Sequence, residues 1–496
     1  MITEYRLKDS LITIKADLAG EFPLYIYQSQ DKQTLLYSKS ITELLGNIQV
    51  QKPLKVSTKG ISFLLQSGVV PPPYTAYENI FIVGIGDSAK VFTKDGKIEI
   101  KFSHNFPFKN ENRLNDDEMI PSKDEILDLV AKATIERIDE TKPTFLFHSA
   151  GKDSNTIALA LAKAGYQDKV TLITHKSKGD KDESEISKSI AKQLGFKHQV
   201  LYEVDELQAK HKKAIDDYFI NVPFPCTDNV TLAYPLYAVQ MPELGGTNII
   251  DGGGNDVYMM TPPSSRDVKV IPVSKWTSKL STLRSFTPSE SIFTPLLRTP
   301  AEWCGMSGFS FLDTKNILNG AFNVYEYWDS ESKKREDWDL FDFKTDLLTT
   351  VVAAELHIRK FRNFTDVIGA NALTPFSNET VAKYFSKMPE KYLFDRKNLK
   401  NKLILRDILK EEIGLDSDAI GKMGFVYDSR SVVLKNWEMI SEEIFACDFW
   451  DKEGVKKLIN RLRNSMDKKG WGARVSGRLI YRLYLISSWI NKNRWI

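Results

Sequence analysis

Apolar and polar positions are arranged in two different ways along this chain. Up to about residue 110 the apolar residues come in short runs cut by turn residues. Residues 11–17, 23–27, 34–38, 80–83 and 97–102 read as strands, with turn signals at 18–20 and 30–31. Residues 41–45 read as a short helix. Residues 61–67 read as a longer one closed by Gly68, ahead of the Pro71-Pro72-Pro73 turn. Residues 112–122 are polar and acidic and have the composition of a linker.

From residue 123 the pattern changes. A helix to about residue 138 leads into an uncharged run, Thr144 to Phe147, which reads as a buried strand. An apolar helix follows over 155–164, with Gly165 where its C-cap falls. Residues 169–174 form a second strand. A helix with Ile186, Ile190 and Leu194 on one stripe comes next, closed by Gly195, and residues 196–204 form a third strand. Strands alternating with helices at this spacing predict an α/β fold, a doubly wound parallel sheet with ligands at the carboxyl ends of its strands. The expected division is a β-rich unit over 1–111, a linker over 112–122 and an α/β domain over 123–496. Residues 259–340 carry no dominant period. Helical character returns at 345–362 and 398–412, and residues 477–490 make an apolar helix of core type.

Composition narrows the function classes. The 496 residues carry 68 Lys and Arg against 65 Asp and Glu, well interspersed, so neither a nucleic-acid nor a membrane partner is expected. Cys226, Cys304 and Cys447 lie far apart, without the paired spacing of a zinc site or a disulfide framework. With no signal-like N-terminus and no apolar run of membrane-spanning length, a reducing cytoplasm is the expected compartment.

Candidate chemistry centres on the loop after the first α/β strand, Ser149-Ala-Gly-Lys-Asp-Ser154. A strand, a small-residue loop and a helix in succession point backbone N–H groups at an anion. Gly151 permits close approach, Ala150 keeps the loop small, Ser149 and Ser154 offer hydroxyls, and Lys152 adds charge. Asp153 would repel a phosphate unless a cation lay between, so it reads as a Mg²⁺ ligand. The loop is not a Walker A sequence and resembles that of the ATP pyrophosphatases. A second glycine-rich run, Asp251-Gly-Gly-Gly-Asn-Asp256, follows another strand and presents Asp256 as a second metal ligand for a bound triphosphate, with Gly252 beside it. Phe147 and His175, each at or just past a strand end, are further nucleotide-site candidates. For His175, a plain polar strand end fits the sequence equally well. Lys402 and Arg406, four apart in a predicted helix, read as two cations on one face, where solvated lysine and arginine are the ordinary occupants.

Taken together these stretches resemble the asparagine synthetase family, from Asp17 almost to the C-terminus. Ser149–Ser154 is similar to its S-G-G-x-D-S loop, Asp251–Asp256 to S-G-x-G-x-D, Lys402–Arg406 to K-x-x-L-R and Lys422-Met-Gly-Phe425 to K-x-G-F. Gly68–Thr75 resembles the G-x-V-P-x-P-x-T turn between the family's domains. Asp17–Gly20 with Pro23–Tyr25 resembles a segment of its glutaminase. The resemblance implies an ATP-pyrophosphatase-type sheet preceded by a degenerate, Ntn-hydrolase-like glutaminase half. It implies a ligase that uses ATP and Mg²⁺ to adenylate a small-molecule or peptide carboxylate and passes the acyl group to an amine. Lys402 would be catalytic with Arg406 beside it, and Lys422 would lie near the pyrophosphate. Ile2 stands where the family has its nucleophilic Cys, so this chain is expected not to use a glutaminase of its own. Gly253 replaces a Glu or Tyr, and Asn371 an acidic residue, on what the resemblance makes the substrate side. A nucleotide-binding pseudo-enzyme, acting with a precursor peptide, a separate amidotransferase or another partner protein, is the alternative expectation.

Overall fold

In a computed structural model of the chain, residues 1–178, 182–421, 427–468 and 470–496 are described. The N-terminal part builds two antiparallel sheets from β1 (Thr3–Tyr5), β2 (Ile12–Lys15), β3 (Leu24–Gln28), β4 (Leu35–Ser38), β5 (Ile80–Val83), β6 (Asp87–Lys94) and β7 (Lys97–His104). Their orders are β1-β4-β3-β5 and β2-β6-β7. β6 is absent from the sequence reading because five of its eight residues are charged or hydroxylic and only Ala89 and Val91 are buried. Its signal was the Asp95-Gly96 pair. Both residues have positive φ, 51° and 70°, as a tight two-residue hairpin turn requires.

The α/β part is organised on β8 (Thr144–Phe147), β9 (Val170–Lys176), β10 (Lys197–Tyr202), β11 (Asn248–Ile250) and β12 (Asn371–Leu373). The order is β10-β9-β8-β11-β12 and every pairing is parallel. After β8 the chain steps outward on one side through β9 and β10, then returns to the other side for β11 and β12. The strand order therefore reverses between β8 and β11, and such a sheet opens its ligand crevice there.

Two features differ from the expected division. One core runs through both parts, from Tyr25, Leu36 and Phe63 to Phe145, Ile249, Tyr484 and Trp489. The stretch read as a linker is docked, not free. The Arg113 guanidinium donates to the carbonyls of Tyr258 at 2.7 Å and Phe385 at 3.3 Å, and Leu114 N–H donates to Lys387 O at 3.0 Å. The segment without a period, 259–340, folds largely as short helices, among them Ser265–Thr277, Phe311–Ile317 and Tyr325–Lys333.

His104, at the end of β7, ties the two parts electrostatically. Its Nδ1 lies 2.7 Å from Asp87 Oδ1 and its Nε2 lies 3.0 Å from Asp346 Oδ1, and Arg335 Nε donates to the other Asp346 oxygen at 2.6 Å. Burial alone would lower the pKa of His104, but the Asp346 and Asp87 carboxylates outweigh it and push it up to about 10. A histidine held above its unfolded value of about 6.5 contributes stability that is complete below that value and lost as pH rises through the folded one. Unfolding free energy from urea melts should therefore fall by about 2 kcal/mol or more between about pH 7 and pH 10. His104→Gln should flatten that slope. Parallel slopes in the two proteins would show that His104 is not the titrating group.

Candidate active site

The crevice is walled by the loops that leave β8 and β11. His148 N–H donates to Ile173 O at 2.8 Å and carries the ladder one residue past β8. The chain then turns through Ser149, Ala150 and Gly151 into the helix Lys152–Lys163. Gly151 is its N-cap and supplies no side-chain cap, so the first-turn N–H groups are presented to the crevice. Ser149 and Ser154 face each other with hydroxyls 3.2 Å apart, and Gly151 N–H donates to Ser149 Oγ at 3.0 Å. Ala150 N–H donates to Glu183 Oε2 at 3.0 Å.

A buried polar frame holds this loop from behind. Asn155 Nδ2 donates to the carbonyls of Ser149 at 2.9 Å and Gly151 at 2.6 Å, and Asn155 Oδ1 lies 3.0 Å from His148 Nε2. His148 reaches Ser187 Oγ at 2.6 Å through its other nitrogen. Burial drives the His148 pKa down to about 3, so the frame is neutral and resists relaxation. Neither Asn155 nor His148 stood out in the sequence, because a residue that supports a loop by hydrogen bonds to its carbonyls leaves no spacing signature.

The loop after β11 packs directly on the first. A Cβ on Gly252 would stand 3.1 Å from Ser154 N and 3.2 Å from Asp153 Cβ, and Gly254 has φ of +112° and faces Ser377. Asp251 is half-buried, and its desolvation, helped by Asp153, raises its pKa; Gly253 N–H donates to its Oδ1 at 2.8 Å. Asp256 opens the short helix Asp256–Met259.

Lys402 closes the group. Its ammonium sits 2.7 Å from Asp153 Oδ2 and 2.9 Å from Asp256 Oδ1, with the side chain only 6% exposed. Burial works against its charge, but the two carboxylates prevail and raise its pKa. Asn255 Nδ2 donates to the second Asp153 oxygen at 2.6 Å. Lys402 is not within the helix as its sequence pattern suggested. It precedes the helix Leu403–Ile413 with φ 58° and ψ 40°, a left-handed conformation that costs a side-chain-bearing residue about 1–2 kcal/mol. The four-residue spacing to Arg406 therefore does not put the two cations on one face. Arg406 turns away, its Nε on Asn401 O at 2.8 Å and its Nη1 on Asp418 Oδ1 at 2.5 Å.

The remaining candidates divide. Phe147, Ser149, Gly151, Asp153, Ser154, His175, Gly252 and Gly253 line one cleft of about 250 Å³ with Tyr234 and Tyr237. His175 Nδ1 lies 2.7 Å from Tyr237 Oη, and the Phe147 ring stands about 6 Å from both tyrosine rings. The cleft thus has one aromatic wall and one wall of loop N–H groups and hydroxyls, a division that suits a planar base and its phosphates. The tyrosines were missed, although Tyr234 and Tyr237 are three apart on the helix Ala233–Gln240 and share a face. Lys152 is the first residue of its helix and Ala150 is buried in the loop. Asn371 lies elsewhere. It starts β12 opposite Asn248, at the amino end of the strands, and donates to Arg137 O at 2.9 Å and Asn248 Oδ1 at 3.1 Å. A residue at that end of a parallel sheet does not line a crevice at the other, so Asn371 is not part of the substrate pocket. Lys422 lies outside the described residues.

A parallel sheet whose strand order reverses beside a loop of N–H groups and hydroxyls is an α/β arrangement that opens a ligand crevice at that point. The model of the asparagine synthase family matches residues 125–472, and the chain belongs to that family, whose members are ATP-dependent synthetases of the amide-bond-forming kind and generally work with Mg²⁺. A search of curated proteins returned no match.

The contact between the two loops is testable. Gly252→Ala wedges a methyl group against Ser154 N and Asp153, and ATP binding measured by calorimetry should weaken by roughly tenfold while thermal unfolding shifts little. Unchanged affinity would mean that the loops do not need this close approach.

Proposed function

We propose that the protein activates a substrate carboxylate with ATP, releasing pyrophosphate, and passes the acyl group to an amine. The observation that carries this reading is the Lys402 ammonium shared by Asp153, which lines the crevice, and Asp256 beside it. The first-turn N–H groups of the helix Lys152–Lys163, with Ser149 and Ser154, hold the phosphates that leave. The aromatic wall of Phe147, Tyr234 and Tyr237 takes the base. Lys402 meets the charge that develops as the carboxylate attacks and as the amine later attacks the activated acyl group, and its left-handed backbone keeps it aimed there.

Asp153 and Asp256 fit a hard divalent cation. Both are oxygen donors, and they converge on one point, the Lys402 ammonium. Among the described residues no third metal-ligating side chain completes a cluster, so nucleotide phosphates and water would fill the shell. A Mg²⁺ ion held there supplies charge neutralisation for the triphosphate.

The amine does not come from glutamine through a cysteine of this chain. Cys226, Cys304 and Cys447 are all buried, and burial pushes the thiols of Cys226 and Cys447 up to about 11 and that of Cys304 higher still. None supplies a thiolate at neutral pH. Free ammonia, an amine on a second substrate, or one within the same substrate remain. The purified chain should release no glutamate from glutamine above background in a coupled dehydrogenase assay, and release above it would refute this step.

Gly253, without a side chain, leaves the substrate side without the group the family carries there, which favours a second reading as a nucleotide-binding partner. A screen of carboxylates for pyrophosphate release separates the two. On the ligase reading Lys402→Ala lowers kcat by about 10² to 10³ while ATP binding by calorimetry persists. Arg406→Ala stays within a few-fold, since its guanidinium faces Asp418. Nucleotide binding with no pyrophosphate release from any carboxylate would move the assignment to the partner reading.

A further inference from the structure

The helix Ser265–Thr277 and the 3₁₀ turns that continue it, Ser278–Ser285, are built inside out. The face toward the body carries Ile271, Ser274 and Ser278, all buried. The opposite face carries Val273, Trp276, Leu280 and Leu283, exposed by 56, 74, 55 and 47%. Ile271 and Ser274 lie out of phase with Val273 and Trp276 on the helix, and past the kink at Leu280 the apolar side chains stay exposed, so the larger apolar stripe points at solvent. Phe286 and Phe293, 76 and 62% exposed, extend it. Of the 20 large apolar side chains exposed among the described residues, nine fall between Val268 and Leu296. Single exposed apolar residues are ordinary, but a contiguous face of this kind is a contact surface.

Charge identifies what it contacts. The acids of this segment are turned inward, Asp267 onto Lys344 at 2.6 Å and Glu290 onto Arg461 at 2.9 Å, and Arg284 is taken by Glu302 at 2.6 Å. Lys269, Lys275 and Lys279 are exposed, the last two flanking the apolar stripe on the side of the adjoining cleft, with Lys279 over the Trp276 ring at 4.8 Å. The exposed charges of the segment itself are therefore cationic, and Glu336 is the exposed acid of the adjoining cleft. Pairing it with itself across a two-fold axis would bring lysines together, which disfavours a second copy as the occupant. A cleft of about 480 Å³ adjoins the segment, lined in part by Ile271, Lys275, Lys279, Tyr325, Trp338 and Phe343, and gives apolar chains depth beside the lysines. Its Asp329 is engaged by Lys333 at 2.7 Å.

We propose that this face binds an anionic lipid surface, with Trp276, Leu280, Leu283 and Phe286 in the interfacial layer and Lys269, Lys275 and Lys279 on the headgroups. Tryptophan, long apolar residues and lysine on one exposed helical face are the elements of interfacial binding. Contact is peripheral, since no described helix is long and apolar enough to cross a membrane. The whole-chain charge balance predicted no membrane partner. Averaging over both faces of every element concealed this one. The proposal does not depend on the ligase reading.

The test is flotation of the full-length protein with vesicles of phosphatidylcholine alone and of phosphatidylcholine with phosphatidylglycerol in equal parts. Partition onto the anionic vesicles only is expected, weakened by salt and by at least about tenfold in Trp276→Glu/Leu280→Glu and in Lys275→Glu/Lys279→Glu. All four side chains are exposed, so both pairs should keep the circular dichroism and the ATP affinity of the parent. No partition onto anionic vesicles, or equal partition of the variants, overturns the proposal. So does a dimer or a complex with an acidic protein that Trp276→Glu/Leu280→Glu dissolves without any vesicle binding.

Discussion

The Lys402 ammonium, between Asp153 and Asp256, joins three stretches of chain that are remote in sequence, the helix after β8, the loop after β11 and the entrance to the helix Leu403–Ile413. Each member needs the others. An ammonium this buried loses several kcal/mol of hydration and is tolerable only when paired, and two carboxylates this close repel unless a cation lies between. Removing Lys402 leaves two facing carboxylates unopposed, whereas removing either carboxylate leaves a neutral pair. The two contacts also bear on the left-handed backbone of Lys402. Two ion pairs over-determine the side chain's position, and the backbone accepts an unfavourable φ to satisfy them.

The N-terminal part is linked to the crevice by packing and by one buried ion-pair group. His104 on β7 holds Asp346, which stands directly before the wide-turn helical segment Leu347–Ile358. That segment ends beside the crevice, where Ile358 lies 3.6 Å from the position a Gly253 Cβ would take. Helical stretches with wide turns are often found at functional sites. A contiguous path therefore runs from the small sheets to the loop after β11, and it gives a physical reason for the shared core that a free linker would not provide.

How much of this was legible from the sequence follows from how local each feature is. The phosphate loop and the strands β8, β9 and β11 are readable because their hydrophobic runs and small residues are contiguous. Burial on both faces removes the need for tertiary context. β6 was lost to a propensity argument that ignored Asp95-Gly96. Lys402 was found by pattern, but its geometry was not. Nothing local signals a positive φ at lysine, and it exists only because two distant carboxylates demand it. Asn371 failed for the converse reason, since a motif places a residue in a strand without saying which end faces the ligand.

Electrostatics around the crevice sets the remaining constraint. Asp153, Asp251 and Glu183 all line the cleft, with Asp256 held beside it by Lys402, and a triphosphate must approach these carboxylates. Among the described residues the Lys402 ammonium opposes Asp153 and Asp256 and Lys360 acts on Asp251, with the positive end of one helix worth about half a charge. Burial already raises the pKa of Asp251 and of Glu183, which shows how little these positions favour further negative charge. Glu183 also occupies the Ala150 N–H, a donor that an incoming phosphate would otherwise use, so anion binding here exchanges one acceptor for another. A bare nucleotide tetra-anion adds more negative charge than the cluster can oppose. On the proposed ligase reading a nucleotide would arrive with its own cation, and Asp153 and Asp256 would be the carboxylates that receive it.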